Sequence, residues 1–507
     1  MSALPPVLVD RRGFLGLVGA GAILTLAACA PAAGGSGGAA STTLRWAAGS
    51  QPWSWDPVVQ GSGFQFNQLS LVYASLTEID EDGVAQPGLA ESWEYDEAGT
   101  SVTFHLREGL VFTDGTPLDA AAVAAYVLRA KSQEDSAIAG DLTSIADAVA
   151  DSDTDVRLTL TQVDHQIPLL LGRRVAQITS PAVEPGDLTT APVGAGPFRV
   201  VELVPESHVH LERNPDFYRA DEIHIERVEL SWGIEASSLV SALQTGVYDF
   251  ADIPAAQAQA AEAAGLDVTV HPGFNASNLS VNGTKTPFDD PIVLEAARYA
   301  IDRQELVDTL TFGYGAPTSQ PFPEGYVAWS ADVEDPWPFD ADRARELLEG
   351  AGYGPGDLAV ELVVSTDEPQ HEVLQRQLGA VGIDVSIRVD PNWNEPFFGK
   401  QLALSTYGTT GRESPVQTLT AHFGEAGPLN LSGVASPEFL AAVQVARETP
   451  LDSPDYPANL QAATAAGVRT TSTIFTFSLP NLFAKRGLSE LPQIPGQIHW
   501  TGVRLEA

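Results

Sequence analysis

From Leu44 to its end the chain alternates segments of strand period with segments of helix period, and this alternation limits the fold more than any other feature. Val102-Thr103-Phe104-His105-Leu106 and Val156-Arg157-Leu158-Thr159-Leu160 place apolar residues at every second position, the spacing of a half-buried strand. Asp119 is a helix cap by type, and the spacing predicts a helix to about Ala130 with Val123, Tyr126, Val127 and Ala130 on one face. Asp290-Pro291, a cap residue with proline in the first turn, predicts a helix running through "IVLEAARYAIDRQELVDTL". "DADRARELLEGAGYG" predicts another, with Ala344, Leu347, Leu348 and Ala351 on one face and glycine at its end. Mixed strand and helix order over about 460 residues implies α/β or α+β architecture in more than one domain, because single cores stop growing near roughly 250–300 residues.

Charge and cysteine content exclude several functions. The chain has 66 Asp+Glu against 27 Lys+Arg, a formal net charge of −39. Such a field repels nucleic-acid phosphates and anionic lipid headgroups, so membrane attachment must be covalent or hydrophobic. One cysteine, Cys29, rules out an internal disulfide and a cysteine-based metal cluster. The nine histidines are scattered. His208 and His210 share a strand face at period two, as a metal pair would, but no third ligand follows at useful spacing. They read as an exposed polar strand face, and no metal site is assigned. "GAGPF" lacks a following lysine, and Pro197 has no N–H, so it reads as a tight strand entry rather than a phosphate loop. No catalytic constellation or cofactor motif emerges. No enzymatic activity and no cofactor are expected.

The first forty residues read as an address. Asp10-Arg11-Arg12-Gly13-Phe14-Leu15 precedes an uncharged run, Gly16 to Ala28, too short to span a bilayer, a task for roughly 20 residues. Arg11 and Arg12 with Phe14-Leu15 resemble a twin-arginine export signal. Leu26-Ala27-Ala28-Cys29 resembles a bacterial lipobox, in which the cysteine sulfur receives a diacylglyceryl group and becomes the new N-terminus. Ala30 to Ser41 is a Gly/Ser/Ala tract with the composition of a flexible tether, with a reach of about 20 Å. The expected location is outside the cytoplasm, anchored to the cell membrane through Cys29.

Longer segments resemble a known family. "QPGLAESWEYDEAGTSVTFHLREGLVFTDGTPLDAAAV" (86–123), "APVGAGPFRV" (191–200), "LERNPDFY" (211–218), "ALQTGVYDF" (242–250), "NGTKTPFDDPIVLEAARYAIDRQELV" (282–307) and "FDADRARELLEGAGY" (339–353) resemble, in order, segments of the extracytoplasmic solute-binding proteins of family 5. These are the peptide- and nickel-type receptors of ABC importers. The resemblance implies a mixed α/β, two-lobed periplasmic-binding-protein-like fold with an additional inserted domain. It implies an export signal over 1–29, a tether over 30–42, lobe one from 43–83, 191–272 and 481–507, the inserted domain over 84–190 and lobe two over 273–480. It also implies a monomer that closes its lobes on a peptide or similar small solute and delivers it to permease subunits.

By the same resemblance, Phe64, Phe274, Asn275, Trp393, Tyr407, Gly408 and Arg412 are candidate ligand-binding residues. Peptide-binding members commonly present an aspartate in the segment around 407–412, typically within W-x-x-D-Y-x-x-P. Here Thr409-Thr410-Gly411-Arg412 stands instead. An arginine suits a carboxylate or other anion, so an anionic non-peptide ligand or a metal chelate is an alternative, as is pairing of Arg412 with a neighbouring carboxylate. An exported hydrolase on the same fold is a further alternative, which turnover of a peptide or ester would reveal.

Overall fold

The first strand, β1 (Thr43–Ala47), joins a sheet whose other members come from far along the chain. A short ribbon follows, β2 (Thr77–Ile79) with β3 (Ala85–Pro87). Then β4 (Ala90–Tyr95), β5 (Ser101–Leu106), β6 (Ile145–Ala150) and β7 (Asp155–Leu160) form a four-stranded antiparallel sheet in the order β4-β5-β7-β6. β5 and β7 are the two alternating segments, and their apolar positions all face inward. The helix Ala120–Ser132 packs on this sheet. The Asp119 carboxylate caps it by accepting the Ala122 amide at 2.9 Å, and Val123, Tyr126, Val127 and Ala130 are buried as expected.

After this sheet come β8 (Phe198–Val204), β9 (His208–Arg213), β10 (Arg227–Ser231), β11 (Phe250–Asp252) and β12 (Asp267–His271). The entry to β8 is tight: Gly196 N–H donates to the Val72 carbonyl at 2.8 Å, and a Cβ on Gly194 would meet the same oxygen at 2.3 Å. The chain then builds a separate five-stranded sheet from β13 (Ala276–Val281), β14 (Leu358–Val364), β15 (Ile383–Val389), β16 (Leu404–Thr409) and β17 (Ile474–Ser478), in the order β15-β14-β16-β13-β17. Finally β18 (Asn481–Lys485) returns to the first sheet, completing seven strands in the order β12-β18-β11-β1-β10-β9-β8. In it β1 runs parallel to both neighbours, β10 and β11.

This computed structural model describes residues 42–60, 65–271, 273–409, 411–412 and 414–506. Arg11, Arg12, Cys29 and Phe64 lie outside them. No helix of the described residues is long and apolar enough to cross a membrane.

Two helix expectations need correction. The segment 291–310 is not one helix but two, Pro291–Ala300 and Arg303–Leu310. Asp302 starts the second by accepting the Glu305 amide at 3.0 Å, an Asp-x-x-Glu arrangement that favours a new N-terminus over continuation. In the helix Ala341–Gly350, Ala344 and Leu348 are buried and Leu347 half-buried, but Ala351 is exposed at the C-cap, where Gly352 takes a φ of +91° to end the helix.

The cores follow the sheets unequally. Leu44, Leu230, Phe104 and Val156 belong to one continuous core that runs from the seven-stranded sheet into the four-stranded one. Leu279, Leu362 and Ile383 anchor a second core on the five-stranded sheet, and Leu419, Phe439 and Leu460 a third among the helices that follow it. The molecule is a mixed α/β protein of two lobes, one per large sheet, with an inserted small sheet.

Candidate functional site

The chain passes between the two large sheets twice, from β12 to β13 and from β17 to β18, and the two crossings lie side by side. His271 pairs with Asn481 across β12 and β18, Leu479 N–H donates to the Asn275 carbonyl at 2.9 Å, and the Asn275 amide donates to Asn481 Oδ1. Beside them a cavity of about 280 Å³ opens, walled by Trp46, Ser50, Asp252, His271, Asn275 and Asn481. It sits at the carboxyl ends of the parallel neighbours β1 and β11, the end of such strands where ligands commonly bind.

The polar groups of this cavity include donors and acceptors, the Trp46 indole N–H among the former and Asp252 among the latter. Asp252 is half-buried, its Oδ2 accepts the Gly49 N–H at 2.8 Å, and its Oδ1 is buried. Burial disfavours the charged form and raises the carboxyl to about 6, with hydrogen bonds from the Gly49 N–H and the Trp46 side chain opposing. His271 Nε2 lies 3.0 Å from the carbonyls of both Ile494 and Gln497. Carbonyls only accept, so Nε2 carries the proton and Nδ1 keeps its lone pair, which is buried and without a hydrogen bond among the described residues. Burial lowers the pKa of this imidazole and favours its neutral form.

A larger cavity, about 650 Å³, lies against the five-stranded sheet and is walled by Ser277, Gln370, His371, Trp393, Tyr407 and Gly408 among others. Here the aromatic groups stack on one another. Trp393 and Tyr407 lie 6.0 Å apart at 14°, and Phe397 lies 5.2 Å from Tyr407 at 15°. The Trp393 indole N–H donates to Ser405 Oγ at 2.8 Å. His371 Nδ1 accepts the Glu368 amide at 3.0 Å, so its Nε2 is the donor to Thr406 Oγ1, also at 3.0 Å. Burial lowers the His371 pKa and raises that of Tyr407.

The sequence candidates therefore divide between places. Asn275 lines the first cavity; Trp393, Tyr407 and Gly408 line the second. Phe274 packs edge-on against Tyr326 at 4.8 Å, under the Arg173 guanidinium at 5.4 Å, and lines a smaller cavity of about 140 Å³. Arg412 stands 3.6 Å from Asp141 of the four-stranded-sheet region, a carboxylate that also binds Arg174. Asp252, His271, Asn481 and His371 were not singled out as ligand contacts. Asp252 carried a usable signal, an acidic residue ending the short apolar strand Phe250-Ala251.

Two sheet-centred lobes, joined by paired crossings with a cavity beside them, define the class of two-lobed periplasmic-type binding proteins. Residues 84–428 match the family described as bacterial extracellular solute-binding proteins, family 5 Middle, and the chain belongs to that family. Among curated proteins, the glutathione-binding protein GsiB of Salmonella paratyphi A is 31% identical over 324 residues, 62% of this chain and 63% of GsiB. The matched part thus spans a little under two thirds of that relative. Among solved structures, DppA of Helicobacter pylori in complex with the peptide STSA superposes with a TM-score of 0.78 at 22% identity, covering 92% of this chain and 99% of DppA. AgaA of A. tumefacien R10 in complex with agropinic acid gives the same TM-score, identity and coverages.

Proposed function

We propose that this protein is the lipid-anchored substrate-binding component of an ABC importer, and that it captures a small peptide-like solute carrying an ammonium group. The observation that carries the ligand class is the first cavity. Its wall gathers the Asp252 carboxylate, the His271 ring and the Asn275 and Asn481 side chains beside the two crossings. An ammonium group supplies three donors and a positive charge to such a wall. Asp252 would then do from the seven-stranded sheet what the missing aspartate near Arg412 does in peptide-binding relatives. Names of relatives that bind glutathione or a peptide point the same way. Arg412 is engaged by Asp141, so the anionic alternative draws no support from it.

In this reading lobe one comprises 43–83, 191–272 and 481–507, the inserted domain 84–190 and lobe two 273–480. The aromatic wall of the second cavity supplies apolar surface to the solute's side chains. Solute touching both lobes stabilises the closed form, which the permease distinguishes from the empty one. Cys29 holds the receptor at the outer face of the membrane through the tether.

Native mass spectrometry of the tether-free protein purified from its source tests the ligand class. Amino-group-bearing solutes in the mass range of short peptides are expected; a purely anionic ligand or a bound chelate would overturn it. Cys29→Ser tests the anchor and should move the protein from membrane to soluble fractions; continued membrane retention would contradict lipidation.

A further inference from the structure

We infer that the outer face of the β8–β9 hairpin is a divalent transition-metal site formed by Glu202, His208 and His210, separate from the cleft cavities. The two histidines alternate with Val209 and Leu211, which are buried, so both imidazoles face outward on the same side of the sheet. The third ligand comes from the neighbouring strand through a defect in the ladder. Val200 pairs with Leu211, but the register then slips, and Glu202 pairs with His210 instead of Val209. Without that bulge Glu202 would face the core with Val209; the extra residue, Val201, turns the carboxylate to the histidine side. This explains why spacing along the chain gave no third ligand.

The ligand atoms converge. Glu202 Oε2 lies 3.2 Å from His210 Nδ1 and 3.8 Å from His208 Nε2, and all three ligand atoms fall within 4.8 Å of one another. Metal–ligand bonds of about 2.0–2.1 Å put neighbouring ligands about 3.3 Å apart in a tetrahedral site, so only small side-chain rotations are needed. The imidazole of His208 is already oriented. Its Nδ1 lies 2.9 Å from Ser207 Oγ, an outer hydrogen bond that leaves Nε2 as the coordinating lone pair. Among the described residues this is the only group of three such side chains brought within ligating distance.

Charge and access agree. Glu202 is exposed and His208 and His210 are half-buried, so the group is open to water at the sheet edge. Glu229 on β10 lies opposite His210, adding a second carboxylate to the same face. The nearby Arg199 and Arg227 are both held by Glu212. Two imidazoles and one carboxylate suit a borderline ion such as zinc or nickel better than calcium or magnesium, which prefer all-oxygen sites. The remaining coordination positions face water.

The test is calorimetric titration of zinc chloride into the mature, tag-free protein in a non-chelating buffer at neutral pH. One equivalent with micromolar affinity is expected. His208→Ala and His210→Ala should each weaken it at least about 30-fold, and Ser207→Ala about tenfold through the lost outer hydrogen bond. Cobalt substituted for zinc should give a visible absorption band that both histidine variants lose. The residues are exposed or half-exposed, so the variants are expected to fold, which the unfolding midpoint without metal verifies. Absence of zinc binding, or zinc binding unchanged in the double variant His208→Ala/His210→Ala, would overturn the site. Neither result bears on the solute reading, which uses other residues.

Discussion

The two cavity walls use polar groups in opposite ways. On the five-stranded sheet they are spent on the fold: the Trp393 indole holds Ser405, and His371 bridges Glu368 and Thr406. What this wall offers outward is aromatic surface. On the seven-stranded sheet the wall is polar, with Asp252, His271, Asn275 and Asn481 together beside the crossings. On the solute reading proposed above, the first wall meets a polar group of the solute and the second its apolar surface.

Substitutions on each wall can break that contrast. The largest effect is expected from Trp393→Ala, which removes a buried, stacked indole and should cost about 3–5 kcal/mol of stability by urea unfolding. A loss below about 1 kcal/mol would show that the aromatic wall does not support the fold. Asp252→Asn should leave the unfolding midpoint near or above that of the wild type, yet weaken an ammonium-bearing solute by about 1.5–3 kcal/mol, measured calorimetrically. Equal affinity would remove Asp252 from the site.

A smaller effect separates the walls by pH. Solute binding that needs ionised Asp252, whose carboxyl sits at about 6, should weaken about tenfold between roughly pH 7 and 5, and Asp252→Asn should flatten that profile. The contribution to folding has the opposite sign. A carboxyl raised in the folded state favours folding below its unfolded value of 3.8, an advantage lost as pH rises through about 6. The smallest effect belongs to Arg412→Ala. Its guanidinium is a quarter exposed and 3.6 Å from Asp141, so a loss of under about 1 kcal/mol in stability and an unchanged solute affinity are expected. A clear loss of affinity would restore Arg412 to the cleft and favour an anionic solute.

Local patterns carried the fold further than the site. The alternation at 102–106 and 156–160 and the caps at Asp119 and Asp290 were legible because each depends on neighbours within a few residues. The split at Asp302 was missed because a continuous apolar stripe hid a competing cap. Asp252 and His271 were not legible as partners because their meeting depends on β11, β12 and β18 lying together, a pairing that joins residues more than 200 positions apart. Glu202 needed something finer still, a one-residue slip between adjacent strands. Of the residues taken from family resemblance, Asn275, Trp393, Tyr407 and Gly408 lie on the walls of the two cavities compared above, Phe274 lines a smaller one, and Arg412 pairs with Asp141.

The shared core between the seven-stranded and four-stranded sheets has a mechanical consequence. Three sheets suggest three bodies, but side chains from Leu44 through Phe104 to Val503 interlock without a break, so two of the sheets must turn together. The remaining body is tied to that unit by two adjacent crossings joined at Asn275 and Asn481, and also by the Gln417 amide donating to the Asp141 carbonyl and the Tyr456 hydroxyl to Gln166. Any parting of the two would have to break these side-chain ties while the crossings stay whole.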